Sequence, residues 1–243
     1  MNEVHAPPQP GSPEKAGRLL PLGAFGSYLL LGGIFCVLAT IGFAWLADEI
    51  FENELVAIDN GIITWLHGYW GPATDQVMLF FTTMGESVVL GLLIALAAVA
   101  LLRNGRWIDA GGLIIAGAGA GILNQLLKAT YQRIRPDLFQ GPFHLTSYSF
   151  PSGHSMGAIA CYGMLAFVTI RLLRRRWQQI AVGLAAALLV LCVGLSRIYF
   201  GVHYPTDVLG GFMAGAIWLA ITIAIVRAAE WHARRRQRIE QNS

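Results

Sequence analysis

The stretch SRIYFGVHYPTD, Ser196 to Asp207, lies between two long apolar runs. It sets Arg197, His203 and Asp207 close together at what would be the edge of a bilayer. Charged groups there are expensive and are usually kept for function. Whether the flanking runs are membrane helices therefore decides the fold. The rest of the chain answers that they are. Of 243 residues, 55% are hydrophobic and 13% are charged, where soluble domains carry about 25% charged residues. The mean hydropathy of +0.55 points the same way.

Six runs, at 24–46, 86–102, 110–129, 154–172, 178–195 and 207–227, are long and apolar. A bilayer crossing needs roughly 17–25 such residues. Lipid offers backbone groups no partner, so each run must be a helix. The short alternating segments of a membrane barrel are missing. The expectation is an all-α, polytopic membrane protein with six transmembrane helices. Residues 1–23, with Pro7, Pro8, Pro10 and Pro13, read as a disordered cytoplasmic tail. Residues 24–229 form the membrane domain and 230–243 a basic cytoplasmic tail. The first run is too long for a signal peptide and lacks a small-residue cleavage site, so it stays as an anchor.

Cytoplasmic loops are enriched in Lys and Arg. All of the 17 basic residues except Lys128, Arg133, Arg135 and Arg197 fall on one side of the six-span layout. This puts both termini in the cytoplasm. RLLRRRW (171–177) reads as a topology signal rather than a nucleic-acid patch, and a net charge of +3 argues for no nucleic-acid partner. Cys36, Cys161 and Cys192 lie within spans and read as small core residues. No metal-ligand spacing is visible, so neither a metal nor another cofactor is expected.

The outer connection 47–85 carries Leu55, Ile58, Ile62, Leu66 and Tyr69 at helical spacing, with Trp65 and Trp70 nearby. That predicts an amphipathic helix at the outer interface. Its acidic residues Asp48, Glu49, Glu52, Glu54 and Asp59 are expected to face water.

Three outer segments carry chemistry. KATYQRIRP ends the third span with Lys128 and Arg135; PSGHS, from Pro151, opens the fourth; SRIYFGVHYPTD joins the fifth to the sixth. The alternation of spans brings them to one face. Ser152 is a natural N-cap with Gly153 as first helical residue, so free N–H groups there face an anion. His154 projects from that first turn. Pro205 suits a helix start, which sets Asp207 within reach of His203. A carboxylate on one ring nitrogen fixes the tautomer and leaves the other a free lone pair. Lys128, Arg135 and Arg197 supply donors that match phosphate oxygens. Arg133 reads as a solvated neighbour, Asn124 as an interhelical hydrogen-bond donor, and His144 as a surface residue near the site. Glu86 would cap the second span or line the entrance. Gly117 with Gly121, and Gly211 with Gly215, read as close-packing pairs.

The pattern K-x6-R-P, P-S-G-H, S-R-x5-H-x3-D resembles that of the type 2 phosphatidic acid phosphatase superfamily. It falls at Lys128, Arg135 and Pro136; at Pro151 to His154; and at Ser196, Arg197, His203 and Asp207, with no position departing. The resemblance implies metal-independent hydrolysis of lipid phosphates or diphosphates. His203 would be the nucleophile, Asp207 its orienter and His154 the acid and then the base. Lys128, Arg135, Arg197, Ser152 and the Gly153 amide would hold the phosphate. Candidate substrates by resemblance are undecaprenyl diphosphate, phosphatidylglycerol phosphate, phosphatidic acid and diacylglycerol diphosphate. The partners expected are such a lipid and the bilayer itself. The setting expected is a bacterial inner membrane, with the site facing the periplasm or exterior. Non-catalytic lipid binding or transport is the alternative, and the vanadate haloperoxidase chemistry of soluble relatives ranks lower.

Overall fold

The computed structural model describes residues 22–139, 143 and 145–242. The proline-rich segment before Leu22 and His144 lie outside the described residues. Every regular element among the described residues is helical. These are α1 (Leu22–Phe51), α2 (Val56–His67), α3 (Pro72–Met84), α4 (Ser87–Arg103), α5 (Trp107–Tyr131), α6 (Gly153–Leu172), α7 (Arg176–Tyr199) and α8 (Pro205–Asn242).

Five helices, α1 and α5 to α8, are long and apolar enough to cross a membrane. The pair α3 and α4, bent by 52° at its break, makes a sixth. The six expected runs are therefore α1 and α4 to α8. The chain is a multi-pass membrane protein. Its outward surface is apolar, with Leu92, Leu96, Ile122, Leu184 and Leu188 all more than 60% exposed. In a soluble domain that would be a large unpartnered patch; here it is the lipid-facing wall.

The helix α6 is central and packs against α8, α7, α5 and α4, while α1 lies on α8. Small residues allow this closeness. A Cβ on Gly211 would fall 2.6 Å from the Ser152 carbonyl oxygen, and one on Gly215 2.8 Å from that of Met156. Gly117 abuts Ile94, whereas Gly121, its expected partner, faces open space. Gly211→Ala must therefore separate α8 from the start of α6, at a cost of about 1–3 kcal/mol. A clear drop in thermal midpoint in detergent is expected for Gly211→Ala and none for Gly121→Ala.

The outer connection holds two helices rather than one. Gly85 makes the corner from α3 into α4, since a Cβ there would meet Val193 Cγ1 at 2.5 Å and His154 Cδ2 at 3.0 Å. The amphipathic helix exists as α2, but its faces are assigned differently from the sequence expectation. Ile58, Trp65 and Tyr69 are exposed, while Asp59 is fully buried with Ile63 and Leu66. Of the expected stripe, Ile58, Ile62 and Tyr69 are exposed while Leu66 is buried, so the stripe is divided between the outer face and the protein. Asp59 is drawn inward by an ion pair described below, which an amphipathicity argument does not register.

At the other end, α8 continues as a helix through the basic segment expected as a tail, to Asn242. An ion-pair network closes that end: Asp109 takes Arg106 and Arg171, and Glu230 takes Arg171, Arg227 and Arg234.

Candidate active site

The C-terminal ends of α1, α5 and α7 and the N-terminal ends of α4, α6 and α8 share one face, and every expected site residue lies there. Lys128, in the last turn of α5, is 7% exposed and donates to the Tyr148 carbonyl. The helix then stops in a left-handed Gln132 (φ 46°), whose N–H returns to the Lys128 carbonyl. Beyond it, Arg133 and Arg135 turn inward while Ile134 between them is 83% exposed, the two-residue repeat of an extended chain.

Arg135 is fixed on all sides. It donates from Nε to the Ser147 carbonyl (2.7 Å), from Nη1 to the Val202 carbonyl (2.6 Å) and from Nη2 to Ser147 Oγ (3.0 Å). Nη1 also lies 3.1 Å from His203 Nε2. A guanidinium has only donors, so Nε2 must carry the lone pair and Nδ1 the proton. Burial pulls Arg135 below its usual pKa, with Asp207 opposing.

His203 is 2% exposed and Asp207 is fully buried. Nδ1 of His203 sits 3.4 Å from Asp207 Oδ2. That carboxylate also accepts from Ser149 Oγ, from the Tyr204 N–H (2.9 Å) and from Arg133 Nη1 (2.6 Å). Burial pushes the His203 imidazole down to about 3, with Asp207 raising it and Arg135 and Arg197 lowering it. Its ring therefore stays neutral well below pH 6.5.

Ser152 caps α6 as expected, its Oγ accepting from the Ser155 N–H (3.4 Å) and hydroxyl (3.0 Å). Its own N–H donates to the Asp207 carbonyl (2.9 Å), so α6 and α8 are tied at their first residues. Asn124 does bond between helices, donating to the Pro151 carbonyl at 3.2 Å. A Cβ on Gly153 would meet Asn124 Oδ1 at 2.9 Å, so glycine is what lets α5 approach this turn. His154 is half-buried in the first turn of α6, against Gly85, within the electrostatic reach of Arg197, His203, Arg135 and Lys128.

Arg197, 3% exposed, donates to Thr82 Oγ1, while its Nε is buried with no partner. Glu86 precedes α4 without a side-chain cap bond. Beside Arg135 opens a cavity of about 440 Å³, walled by Pro136, Phe139, Phe143, Phe200 and Val202. Among the described residues no cluster of three His, Cys, Asp or Glu side chains could hold a metal ion.

Sequence reasoning missed four members. Arg133 is no solvated neighbour: its side chain is 10% exposed and paired with both Asp59 (2.9 Å) and Asp207 (2.6 Å). Asp59 does not face water. Ser149 and Thr82 hold Asp207 and Arg197. The available signals were an arginine one extended repeat before Arg135, and a carboxylate beside Ile63 and Leu66 on α2.

The profile of the PAP2 superfamily matches residues 109–231. The chain is 34% identical to phosphatidylglycerophosphatase B of Bacillus subtilis, over 72% of this chain and 86% of that protein. It is 28% identical to undecaprenyl-diphosphatase of Sulfolobus acidocaldarius, over 74% and 76%. The crystal structure of a transmembrane PAP2 type phosphatidylglycerolphosphate phosphatase from Bacillus subtilis superposes with a TM-score of 0.75 at 31% identity, covering 79% of this chain and 96% of that one. The chain therefore belongs to the PAP2 superfamily and is one of its multi-pass membrane phosphatases.

Proposed function

We propose that the protein hydrolyses lipid phosphates or diphosphates through a phosphohistidine on His203. The observation that carries this is the buried cationic cup around a neutral imidazole. Arg135 and Arg197 act on His203, those two and Lys128 act on the neighbouring His154, and Arg197 keeps a buried Nε–H without an acceptor. An orphaned buried donor calls for a partner, and a phosphate oxygen supplies one. Three cations suit a multiply charged anion better than a carboxylate.

In the first half-reaction the Nε2 lone pair attacks phosphorus, and the bond to the leaving oxygen breaks. His154 protonates that oxygen. Nδ1–H holds its bond to Asp207 as positive charge grows on the ring. In the second, water attacks phosphorus while His154 takes its proton. The P–N bond returns its electrons to Nε2, and inorganic phosphate leaves. The three cations stabilise the charge on the non-bridging oxygens throughout. Ser152 Oγ accepts both cap bonds, which leaves its O–H free to donate to a phosphate oxygen beside the Gly153 amide.

The cavity beside Arg135, lined by Asp137 and Thr146 as well as by Phe139, Phe143 and Phe200, suits the part of the substrate next to the phosphate. The site lies where helix ends meet the headgroup region, which favours lipid over soluble substrates. Relatives act on phosphatidylglycerol phosphate, undecaprenyl diphosphate and lipid A by their names, and these head the candidate panel. The basic residues at the opposite end favour the cytoplasmic side for that end, by the positive-inside rule. The site then faces the outer side of a bacterial inner membrane.

Phosphate release by purified protein in detergent with EDTA, from a panel of lipid mono- and diphosphates, tests this reading. Release is expected with EDTA present. Loss of activity on chelation with rescue by a divalent metal would contradict the mechanism. Lipid binding without release would leave a non-catalytic binder.

A further inference from the structure

The buried charges do not end at the nucleophile. Asp59 of α2, with no exposed surface, accepts from Arg133 Nη2 (2.9 Å), from the Thr206 N–H (3.1 Å) and from Thr206 Oγ1 (2.6 Å). Arg133 spans to the other side, donating from Nη1 to Asp207 Oδ1 (2.6 Å) and to Thr206 Oγ1 (2.8 Å). Its guanidinium also lies 4.1 Å over the Tyr204 ring. The result is an unbroken line: carboxylate, guanidinium, carboxylate, imidazole.

We propose that Asp59 and Arg133 are positioning residues for the His203–Asp207 pair, so that α2 carries the outermost layer of the reacting centre. This rests on the phosphohistidine reading above. Two arguments support it. Desolvating charges makes a poor fastener when apolar packing is available, yet this line of charges ends on the carboxylate that orients His203. The charge arithmetic also fits the chemistry. Two carboxylates share one guanidinium, leaving one negative charge to meet the cationic ring of the intermediate. Arg133 occupies Oδ1 of Asp207 and leaves Oδ2 to His203, Ser149 and the Tyr204 N–H. Asp59 in turn holds the guanidinium in that fork and keeps it from fully neutralising Asp207. Groups that orient a metal-ligating histidine matter by about 10–100-fold, and the same scale is expected behind a nucleophilic one.

The other groups facing the pair are Lys128 from α5, Arg135 after it, His154 from α6 and Arg197 from α7. They are unchanged in the variants that follow, so the sign of each effect is set by Asp59 and Arg133. Arg133→Gln leaves two carboxylates behind His203, favours its protonated ring and moves the acid limb of kcat/KM to higher pH. Asp59→Asn leaves none of the net negative charge and moves that limb to lower pH. The double variant restores the charge balance and returns the limb towards wild type.

The test is the pH dependence of phosphate release for Asp59→Asn, Arg133→Gln and the double variant in detergent. Thermal midpoints are measured alongside, with wild type and His203→Ala as controls. Each single variant is expected to lose about 10–100-fold in kcat with KM within about 3-fold, and the double no more than the worse single. Thr206→Val keeps every charge and serves where a charge variant does not fold. It is expected to lower kcat several-fold with no movement of the limb. A lowered thermal midpoint with unchanged kcat, limbs that move in the same direction, or fully multiplicative losses would overturn the proposal. Absence of phosphate release by wild type would instead sink the phosphatase reading, and this inference with it.

Discussion

Replacing His203 by alanine is expected to lower phosphate release by about 10⁴-fold or more, the scale seen when a covalent nucleophile is removed. The basis is geometric. His203 Nε2 faces Arg135 Nη1 at 3.1 Å and so presents a lone pair, while Nδ1–H faces Asp207. Among the described residues, the Ser149 hydroxyl beside His203 is already donating to Asp207. The variant should still bind lipid phosphate, because the cations are untouched. Rapid-quench labelling with a phosphate-labelled substrate gives a second readout. An alkali-stable, acid-labile phosphoenzyme should form on wild type and be absent from His203→Ala. Wild-type-like turnover by the variant, or a label that survives acid, would remove His203 from the mechanism.

The pattern of what sequence could reveal follows from the range of the forces involved. Spans were legible because lipid enforces a length and a composition on each one locally. The cap at Ser152, the helix start at Pro205 and the reach of Asp207 to His203 were legible because each acts over three or four residues. The corner at Gly85 was not, because it depends on Val193 and His154, which come from other helices. Asp59 and Arg133 were misassigned for the same reason. Each looks solvated when judged on its own segment, and the ion pair joins positions 74 residues apart. Burial of a charge becomes affordable only when its partner arrives from elsewhere in the fold. Thr82 escaped notice likewise, since its task is to receive Arg197 from α7.

Arg135 then becomes the most exacting of the cations, and its replacement should have the second-largest effect. Its guanidinium already satisfies the Ser147 and Val202 carbonyls, so it is rigid before substrate arrives. Its Nη1 lies 3.1 Å from His203 Nε2, the atom proposed to attack phosphorus. A phosphate oxygen entering beside Nε2 would take over that donor, and the freed lone pair would point at phosphorus. On the proposed mechanism one group would thus protect the nucleophile at rest and stabilise the transition state. Removing such a preorganised donor costs on the order of 10²–10³-fold in kcat. Arg135→Ala is expected at the upper end of that range. Arg135→Lys should recover little, because an ammonium cannot hold two carbonyls and the phosphate in one plane. Added guanidinium at millimolar concentration is expected to restore part of the alanine variant's activity and none of the lysine variant's. Steady-state kinetics on the preferred lipid, with and without guanidinium, decides the matter. A change confined to KM would reduce Arg135 to an ordinary binding cation, and full activity in Arg135→Lys would show that charge alone, without the fork, is sufficient.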